Sequence, residues 1–211
     1  MSPFANIKNV PFDLGMLATL FPDNKDIIGK ARCLEQAGTI IRLKNGMYVA
    51  SPEETGVGLS NELIANHLYG PSYVSRESAL RYYGLIPEAV YTTTSMTTKH
   101  TRLFENATGR YDYRQCSKEY FPIGVSMQEY NGINYLIATP EKALCDTINL
   151  SKALNLRYMK EIEVYLEEDI RFDTEALEQF DISILEACAP LSRKKQTINT
   201  LIKFLKHAKR I

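Results

Sequence analysis

The chain as a whole lacks an excess of charge of either sign. Its 211 residues include 25 Lys plus Arg and 25 Asp plus Glu, so its formal net charge is +0 at pH 7. It also lacks any run near the roughly 18 consecutive apolar residues of a membrane helix. The first ten residues, MSPFANIKNV, lack the apolar centre of a signal peptide. These absences predict a cytoplasmic protein with no membrane partner.

Cysteines are few and widely separated. The sequence contains no CxxC pair and no neighbouring histidine cluster, which argues against a disulfide framework and a zinc site. Nucleophile–base pairs, metal-ligand sets and phosphate-binding loops are also missing at recognisable spacing. We therefore expect no metal, no cofactor and no enzymatic activity.

One acid–lysine group needs a separate explanation. Glu141, Lys142 and Asp146 have the residue types of a nuclease site. A helical i to i+4 pair between Lys142 and Asp146 explains them without catalysis. In another predicted helix, His67 lies on the apolar face, which predicts a core histidine rather than a ligand.

The sequence does contain enough apolar residues, 45%, for one large or two small cores.

Two helices are predicted at the start of the chain. One starts near Phe12 or Asp13 and ends at Leu20, and the next has Asn24 as its N-cap and Gly38 as its stop.

The second helix is predicted to have two different faces. At 100° per residue, Ile27, Ala31 and Leu34 lie on one side. The opposite side has the residue types that contact DNA, with cations for phosphates, Arg and Gln for base edges, and a glycine that permits close approach. These residues are Lys25, Gly29, Arg32 and Gln36.

A β-hairpin follows, because TIIRLKNGMYVA contains two β-type runs joined by Asn45-Gly46. A two-residue turn would place Leu43 opposite Tyr48. Ile41, Leu43 and Tyr48 would then share one face, and Arg42 and Lys44 the other.

Two helices followed by a hairpin with basic residues near its tip predict a winged helix-turn-helix in residues 1–52. With six basic and four acidic residues in the first fifty, one copy would bind DNA weakly, and a dimer on inverted repeats would double the contacts. Little room is left for a full third helix before the second helix, which would be the recognition helix. Two alternatives to DNA binding are that the basic face of the second helix is simply solvated, or that the module binds another protein. The candidate DNA-binding residues are Lys25, Lys30, Arg32, Gln36, Arg42, Lys44 and Asn45.

Residues 53–211 are predicted to form an α+β domain with a small antiparallel or mixed sheet and a helical C-terminal cap. After a short linker, two helices fill the stretch 62–83, with Ser75 capping the second through its side chain. Strands are expected at 90–98, 109–115, 121–129 and 133–138, with a hairpin turn at Asn131-Gly132. Thr139-Pro140-Glu141 starts the next helix.

A second basic patch is interleaved with tyrosines, as at interfaces and single-stranded nucleic-acid surfaces. In GRYDYR, alternation would place Tyr111 and Tyr113 on one face and the arginines on the other. A strand with a buried tyrosine face explains the same pattern. The candidate interaction residues are Arg76, Arg81, Lys99, Arg102, Arg110 and Arg114.

The end of the chain has adjacent blocks of opposite charge. Residues 157–186 contain ten acidic and three basic residues, whereas residues 193–211 contain seven basic residues and no acid. The final helix would dock on the acidic helices or add DNA contacts. Its predicted buried side is Ile198, Leu201, Ile202 and Leu205, and its predicted exposed side is Lys203, Lys206, Lys209 and Arg210.

Four blocks in one order carry a family resemblance. They are GPSYVSRESALRYYGLIPE at 70–88, YTTTSMTTK at 91–99, GRYDYR at 109–114 and YLIATPEKALCD at 135–146. Together they resemble the AbiEi antitoxins of bacterial type IV toxin–antitoxin systems, which are transcriptional regulators with an N-terminal winged helix. The resemblance implies autorepression at operator repeats and protection against a nucleotidyltransferase-like toxin encoded next to the regulator, with or without direct binding.

Two other functions fit the same sequence. A stand-alone winged-helix regulator with a ligand-sensing α+β domain would have the same first fifty residues. A nucleic-acid-processing enzyme would need a metal-dependent activity that is lost when Glu141 or Asp146 is changed to alanine.

Overall fold

The computed structural model describes residues 2–208 and confirms the α+β class. The α-helices are α1 (Leu14–Leu20), α2 (Ile27–Gln36), α3 (Pro52–Thr55), α4 (Asn61–Leu68), α5 (Arg76–Tyr82), α6 (Pro140–Leu150), α7 (Met159–Val164), α8 (Ile182–Cys188) and α9 (Lys195–Ala208). A π-helical segment (Tyr165–Asp169) and two 3-10 segments (Thr174–Gln179 and Ala189–Leu191) connect the last of them. The strands are β1 (Phe12–Asp13), β2 (Ile40–Lys44), β3 (Met47–Ala50), β4 (Ser72–Val74), β5 (Thr92–Thr97), β6 (Arg102–Asn106), β7 (Gly109–Gln115), β8 (Val125–Tyr130) and β9 (Ile133–Ala138). Within residues 2–208, no helix combines the length and apolar character needed to cross a bilayer.

The first three strands form an antiparallel sheet in the order β1-β3-β2. The first helix, predicted to start near Phe12 or Asp13 and to end at Leu20, runs over Leu14–Leu20 with Asp13 as its N-cap. Phe12 belongs to β1 and pairs with Tyr48. The predicted N-cap Asn24 of the second helix was wrong. Asp26 caps α2 by accepting from the Gly29 amide, and Asn24 instead accepts from the Asp26 amide in the turn before it.

The Asn45-Gly46 turn is confirmed, but the predicted pairing of Leu43 with Tyr48 was wrong. Arg42 pairs with Tyr48 and Lys44 with Met47, so Leu43 is the extra residue of a β-bulge. Leu43 is buried in the large central core, whereas Tyr48 packs in the smaller N-terminal one. The two side chains therefore lie on different sides of the hairpin, because a one-residue shift reverses the face.

The central sheet is mixed and has six strands in the order β6-β7-β5-β4-β9-β8. The strands predicted at 109–115 and 133–138 are confirmed at those bounds, as is the turn at 131–132. The prediction of a strand from residue 121 was wrong, since backbone turns from Ser117 to Ile123 precede β8. The short β4 and the polar edge strand β6 were not predicted.

Helices cover both sides of this sheet. The Tyr113 hydroxyl donates to the Ala65 carbonyl of α4 at 2.7 Å, so α4 covers the tyrosine side. His67, predicted to be a core residue, is exposed, because the buried side of α4 is formed by Leu63, Ile64, Ala65 and Leu68.

Helices α5 and α6 pack together on the other side of the sheet. The start of α6 is as predicted, with Thr139 as its N-cap and Pro140 at its first position. The Ser75 side chain does not cap α5 as predicted. Its hydroxyl donates instead to the Asp146 carboxylate at 2.6 Å, since this buried anion is the stronger acceptor.

The predicted pair of Lys142 and Asp146 is confirmed at 3.6 Å, and both side chains are fully buried. The Lys142 ammonium also donates to the Tyr120 carbonyl at 2.9 Å and lies 3.0 Å from the centroid of the Tyr120 ring. The Asp146 carboxylate accepts from the hydroxyls of Ser75 and Tyr73. This charged network links α6 to β4 and to the segment before β8.

The last helix docks on the acidic segment, as one of the two interpretations expected. Lys206 of α9 pairs with Glu186 of α8 at 2.7 Å. Of its predicted exposed lysines, Lys203 is exposed and Lys206 is half-buried. Lys209 and Arg210 lie outside the described residues. The predicted buried residues Ile198, Leu201, Ile202 and Leu205 are all in the core.

The buried apolar residues form two clusters. The smaller one lies within residues 4–50 and includes Phe4, Phe12, Leu17 and Ala31. The larger one fills the rest of the chain and also takes in Leu43 and Val49 of the hairpin. The boundary at residue 52 stays a prediction, and the hairpin contributes to both clusters.

Candidate nucleic-acid interface

Helix α2 presents the face on which DNA contacts were predicted. It has 10 residues, which makes it about 15 Å long. Arg32 and Gln36 are exposed one turn apart, and Lys25 is exposed just before the helix. Among residues 2–208, none of the three has an ion-pair partner. These side chains are free to bind a ligand.

Gly29 lies on the same face, and its local packing explains why it is glycine. A Cβ atom at this position would collide with the Asp26 carboxylate that caps α2. Glycine at this position thus maintains the cap. It also leaves no side chain on the helix surface between Lys25 and Arg32.

Lys30 does not share that face. Its ammonium group lies 4.6 Å from the centroid of the Phe21 ring, and the side chain is half-buried. This cation–π contact holds α2 to the end of α1. The structure therefore separates Lys30 from Arg32.

Arg42 lies beside α2 but is already paired. Its guanidinium donates to the Glu35 carboxylate at 2.6 Å and lies 5.8 Å from the centroid of the Tyr48 ring. Both partners are partly exposed, at 47% and 32% of their side-chain area. A phosphate would have to displace Glu35 to bind Arg42.

Lys44 points toward the central sheet rather than to solvent. Its ammonium donates to the Leu68 carbonyl at the end of α4, at 2.5 Å. Burial lowers the pKa of Lys44, and the neighbouring cations Lys99 and Arg102 lower this pKa further. Asn45 is exposed at the turn next to it.

The predicted basic-aromatic patch does not form one surface. Lys99 and Arg102 lie over the Tyr69 ring, at 5.3 and 5.9 Å from its centroid, on the side that holds Lys44. Arg76 and Arg114 bind Asp112 on the other side of the sheet, where Arg110 is also exposed. Arg81 lies apart and donates to the Ile86 carbonyl.

The alternation predicted for GRYDYR is confirmed, and it favours the structural explanation of the tyrosines. Tyr111 and Tyr113 are fully buried, whereas Arg110 and Arg114 are exposed. Burial raises the pKa of both phenols. Neither ring is available to stack on a base.

Sequence reasoning missed the cluster that the hairpin forms with the central sheet. The Asn106 amide donates to the Leu43 carbonyl at 2.9 Å and holds β6 against β2. This contact brings Lys44 close to Lys99 and Arg102. No sequence signal pointed to it, because β6 itself was not predicted.

The acid–lysine group of α6 has no open carboxylate. Glu141 is 7% exposed and accepts from the Asp181 amide at 2.8 Å, and Asp146 is fully buried with Lys142. In the described part of the chain, no three His, Cys, Asp or Glu side chains are grouped as a metal ion would require. These residues have structural partners.

Comparison with protein-family models finds no family that matches this chain, and comparison with curated proteins finds no significant relative.

Proposed function

We propose that this protein is a DNA-binding transcriptional regulator whose residues 1–52 act as a winged helix-turn-helix. The observation that carries the proposal is the order β1-α1-α2-β2-β3, with a small antiparallel sheet in the order β1-β3-β2. In such modules the second helix enters the major groove and the hairpin lies along the backbone. The exposed, unpaired side chains of α2 have the chemistry required.

The first residues of the chain pack against this module. Residues 2–10 form successive turns, and Phe4 is buried against Phe12 and Phe21, at 5.8 and 6.0 Å between ring centroids. This segment therefore contributes to the apolar cluster that also contains Leu17 of α1 and Ala31 of α2.

In the proposed complex, Arg32 and Gln36 read base edges and Lys25 contacts a phosphate near the start of α2. Arg42 leaves its ion pair with Glu35 and binds a phosphate instead. Lys99 and Arg102 extend the basic surface from the hairpin into the central sheet, next to Lys44. Two copies on inverted repeats would double these contacts. With about four phosphate contacts per copy, log K would fall with log salt with a slope of about −7.

A fluorescence-anisotropy titration on the protein's own upstream DNA, at two salt concentrations, tests this function. Arg32→Ala should weaken operator binding roughly 10- to 100-fold and relax specificity, because a base contact is lost. Arg42→Ala should weaken operator and random DNA equally and reduce the salt slope of the two-copy complex by about 2, because one phosphate contact is lost in each copy. Lys118→Ala, an exposed change in the central domain, is the control. Binding no tighter than to random DNA would contradict the proposal.

We further propose that the regulator is the antitoxin of a type IV toxin–antitoxin system. The support is the four-block resemblance to AbiEi proteins, and these blocks are adjacent in space. They supply the central strands β4, β5, β7 and β9 together with the Ser75, Lys142 and Asp146 network. The partner would be a nucleotidyltransferase-like toxin encoded beside it.

Co-expression with the neighbouring gene product tests the antitoxin role. Wild-type protein should restore growth, and Arg32→Ala should restore it too if protection does not require operator binding. A neighbouring gene without toxicity, combined with intact operator binding, would instead favour a stand-alone regulator.

A further inference from the structure

A basic groove lies on the α5 and α6 side of the central sheet, away from the hairpin. It has a volume of about 520 Å³, within the usual range of small-molecule sites. Its lining comes from the start of α5, the end of β7, the end of α6 and the segment before α9. The basic side chains that line it are Arg76, Arg114, Lys152, Arg193 and Lys194.

The groove has a strong excess of positive charge. No Asp or Glu lines it. The acids that pair with these cations are Asp112, which binds Arg76 and Arg114, and Glu77, which binds Arg76. The five lining cations exceed these two pairing anions by three. Lys152 and Arg193 are exposed, and their side chains have no ion-pair partner among residues 2–208.

The rim of the groove is organised by hydrogen bonds between distant segments. Asn149 accepts from the Arg193 amide at 2.9 Å, and the Lys194 ammonium donates to the carbonyls of Lys152 and Leu154 at 3.2 and 2.6 Å. These bonds hold the basic residues of two separate segments together. A ligand would meet a preformed site.

Arg76 has two unusual features. Its backbone φ is 57°, a left-handed conformation that is strained for a residue other than glycine. Its side chain is 18% exposed, and its Nε atom is buried with no hydrogen-bond partner within the described residues. Such strain is concentrated at binding and catalytic sites. Arg76 therefore lines the groove with a left-handed backbone and a buried Nε–H that makes no hydrogen bond within residues 2–208.

The lining indicates which class of anion fits. Arginine guanidinium groups bind phosphate through paired hydrogen bonds. Leu150 is the apolar side chain among the ten lining residues, and no aromatic ring is present for a base to stack on. The chemistry selects phosphate groups and offers little to a base.

The groove is separate from the proposed operator surface. Arg102 of the operator surface pairs with Tyr113, which faces α4, whereas the next residue of β7, Arg114, lies on the opposite face with Arg76 and Asp112. Lys44, which binds the end of α4, is also on the α4 side of the sheet. Operator DNA on the hairpin would leave the groove open.

We propose that this groove binds a small polyphosphate, the class that includes the triphosphate chain of nucleotides, through Arg114, Lys152 and Arg193 with Arg76 behind them. The protein would then hold a soluble ligand at a site separate from its proposed DNA surface.

Isothermal titration calorimetry on the full chain at low ionic strength tests the site, with inorganic triphosphate, ATP and orthophosphate as probes. We expect one triphosphate per chain, with ATP binding within a few-fold of it and orthophosphate far more weakly. The double variant Lys152→Ala/Arg193→Ala should weaken triphosphate binding at least about tenfold, because two charge-assisted contacts are lost. Lys118→Ala/Lys203→Ala removes the same charge at exposed positions outside the groove and should change it less than about twofold.

The outcomes are distinct. Absence of triphosphate binding, or equal weakening in both double variants, would overturn the site. Tighter binding of a single-stranded oligonucleotide, lost in the groove variant, would overturn the small-ligand assignment. Operator binding measured on the same variants should be unchanged, so that loss of DNA binding and loss of ligand binding are scored separately.

Discussion

Replacement of Asp146 by asparagine should lower the free energy of unfolding by about 3–5 kcal/mol, because it leaves the buried Lys142 ammonium without its carboxylate. The ammonium would keep the Tyr120 carbonyl at 2.9 Å and the Tyr120 ring. A single carbonyl and an aromatic face do not replace the attraction of a buried anion 3.6 Å away.

Loss of one of the two hydroxyls that bind Asp146 should lower the free energy of unfolding less than loss of the carboxylate does. Ser75 donates to its carboxylate at 2.6 Å, and Ser75→Ala should cost about 1.5–3 kcal/mol, the usual range for a hydrogen bond to a charged group. Removing both charges in Lys142→Met/Asp146→Leu avoids the unpaired ion. This double variant should therefore be more stable than Asp146→Asn, even though Ser75 and Tyr73 lose their acceptor.

Urea unfolding followed by circular dichroism measures these differences. With a slope of about 2–3 kcal/mol per molar urea, Asp146→Asn should lower the midpoint by roughly 1–2.5 M. Glu186→Gln breaks an exposed ion pair with Lys206 and should cost less than about 1 kcal/mol. A cost of Asp146→Asn no larger than that of Glu186→Gln would contradict a stabilising buried ion pair. So would a double variant that costs the sum of its two single changes.

Three further predictions concern the N-terminal module and the thiols. Glu35→Gln should strengthen operator binding several-fold by releasing Arg42, and anisotropy should show no such gain when Arg42 is already alanine. Leu43→Ala should cost about 2–5 kcal/mol in urea unfolding, since Leu43 is 3% exposed in the central core; a negligible cost would mean that the bulge does not bury it. At pH 8 iodoacetamide should label exposed Cys33 first. Burial raises the pKa of Cys116 to about 11, so roughly one Cys116 thiol in 1,000 is ionised at pH 8. Mass spectrometry of the labelled peptides measures both labelling rates, and equal rates for Cys33 and Cys116 would contradict the prediction.

The sequence predicted local structure correctly wherever a few neighbouring residues decide the backbone conformation. The hairpin turns at 45–46 and 131–132, the helix start at Thr139-Pro140 and the buried side of the last helix were all predicted correctly. The alternation of buried and exposed residues in 109–115 was predicted too. Turn chemistry, capping and periodicity act over only a few residues, so the sequence itself carries this information.

Tertiary structure decided the features that depend on distant partners. Ser75 leaves its capping role because Asp146, 71 residues away, offers a buried charge to its hydroxyl. Lys44 turns toward the central sheet because the Leu43 bulge reverses the hairpin faces and Leu68 supplies an acceptor.

The same reason explains why sequence reasoning joined the wrong basic residues. It grouped arginines that the sheet places on opposite faces, and it did not connect Arg114 to Arg193, which meet at one groove from segments about eighty residues apart. Helix and strand signals were therefore present in the sequence, whereas the charged clusters arise only when the strand order brings remote side chains together.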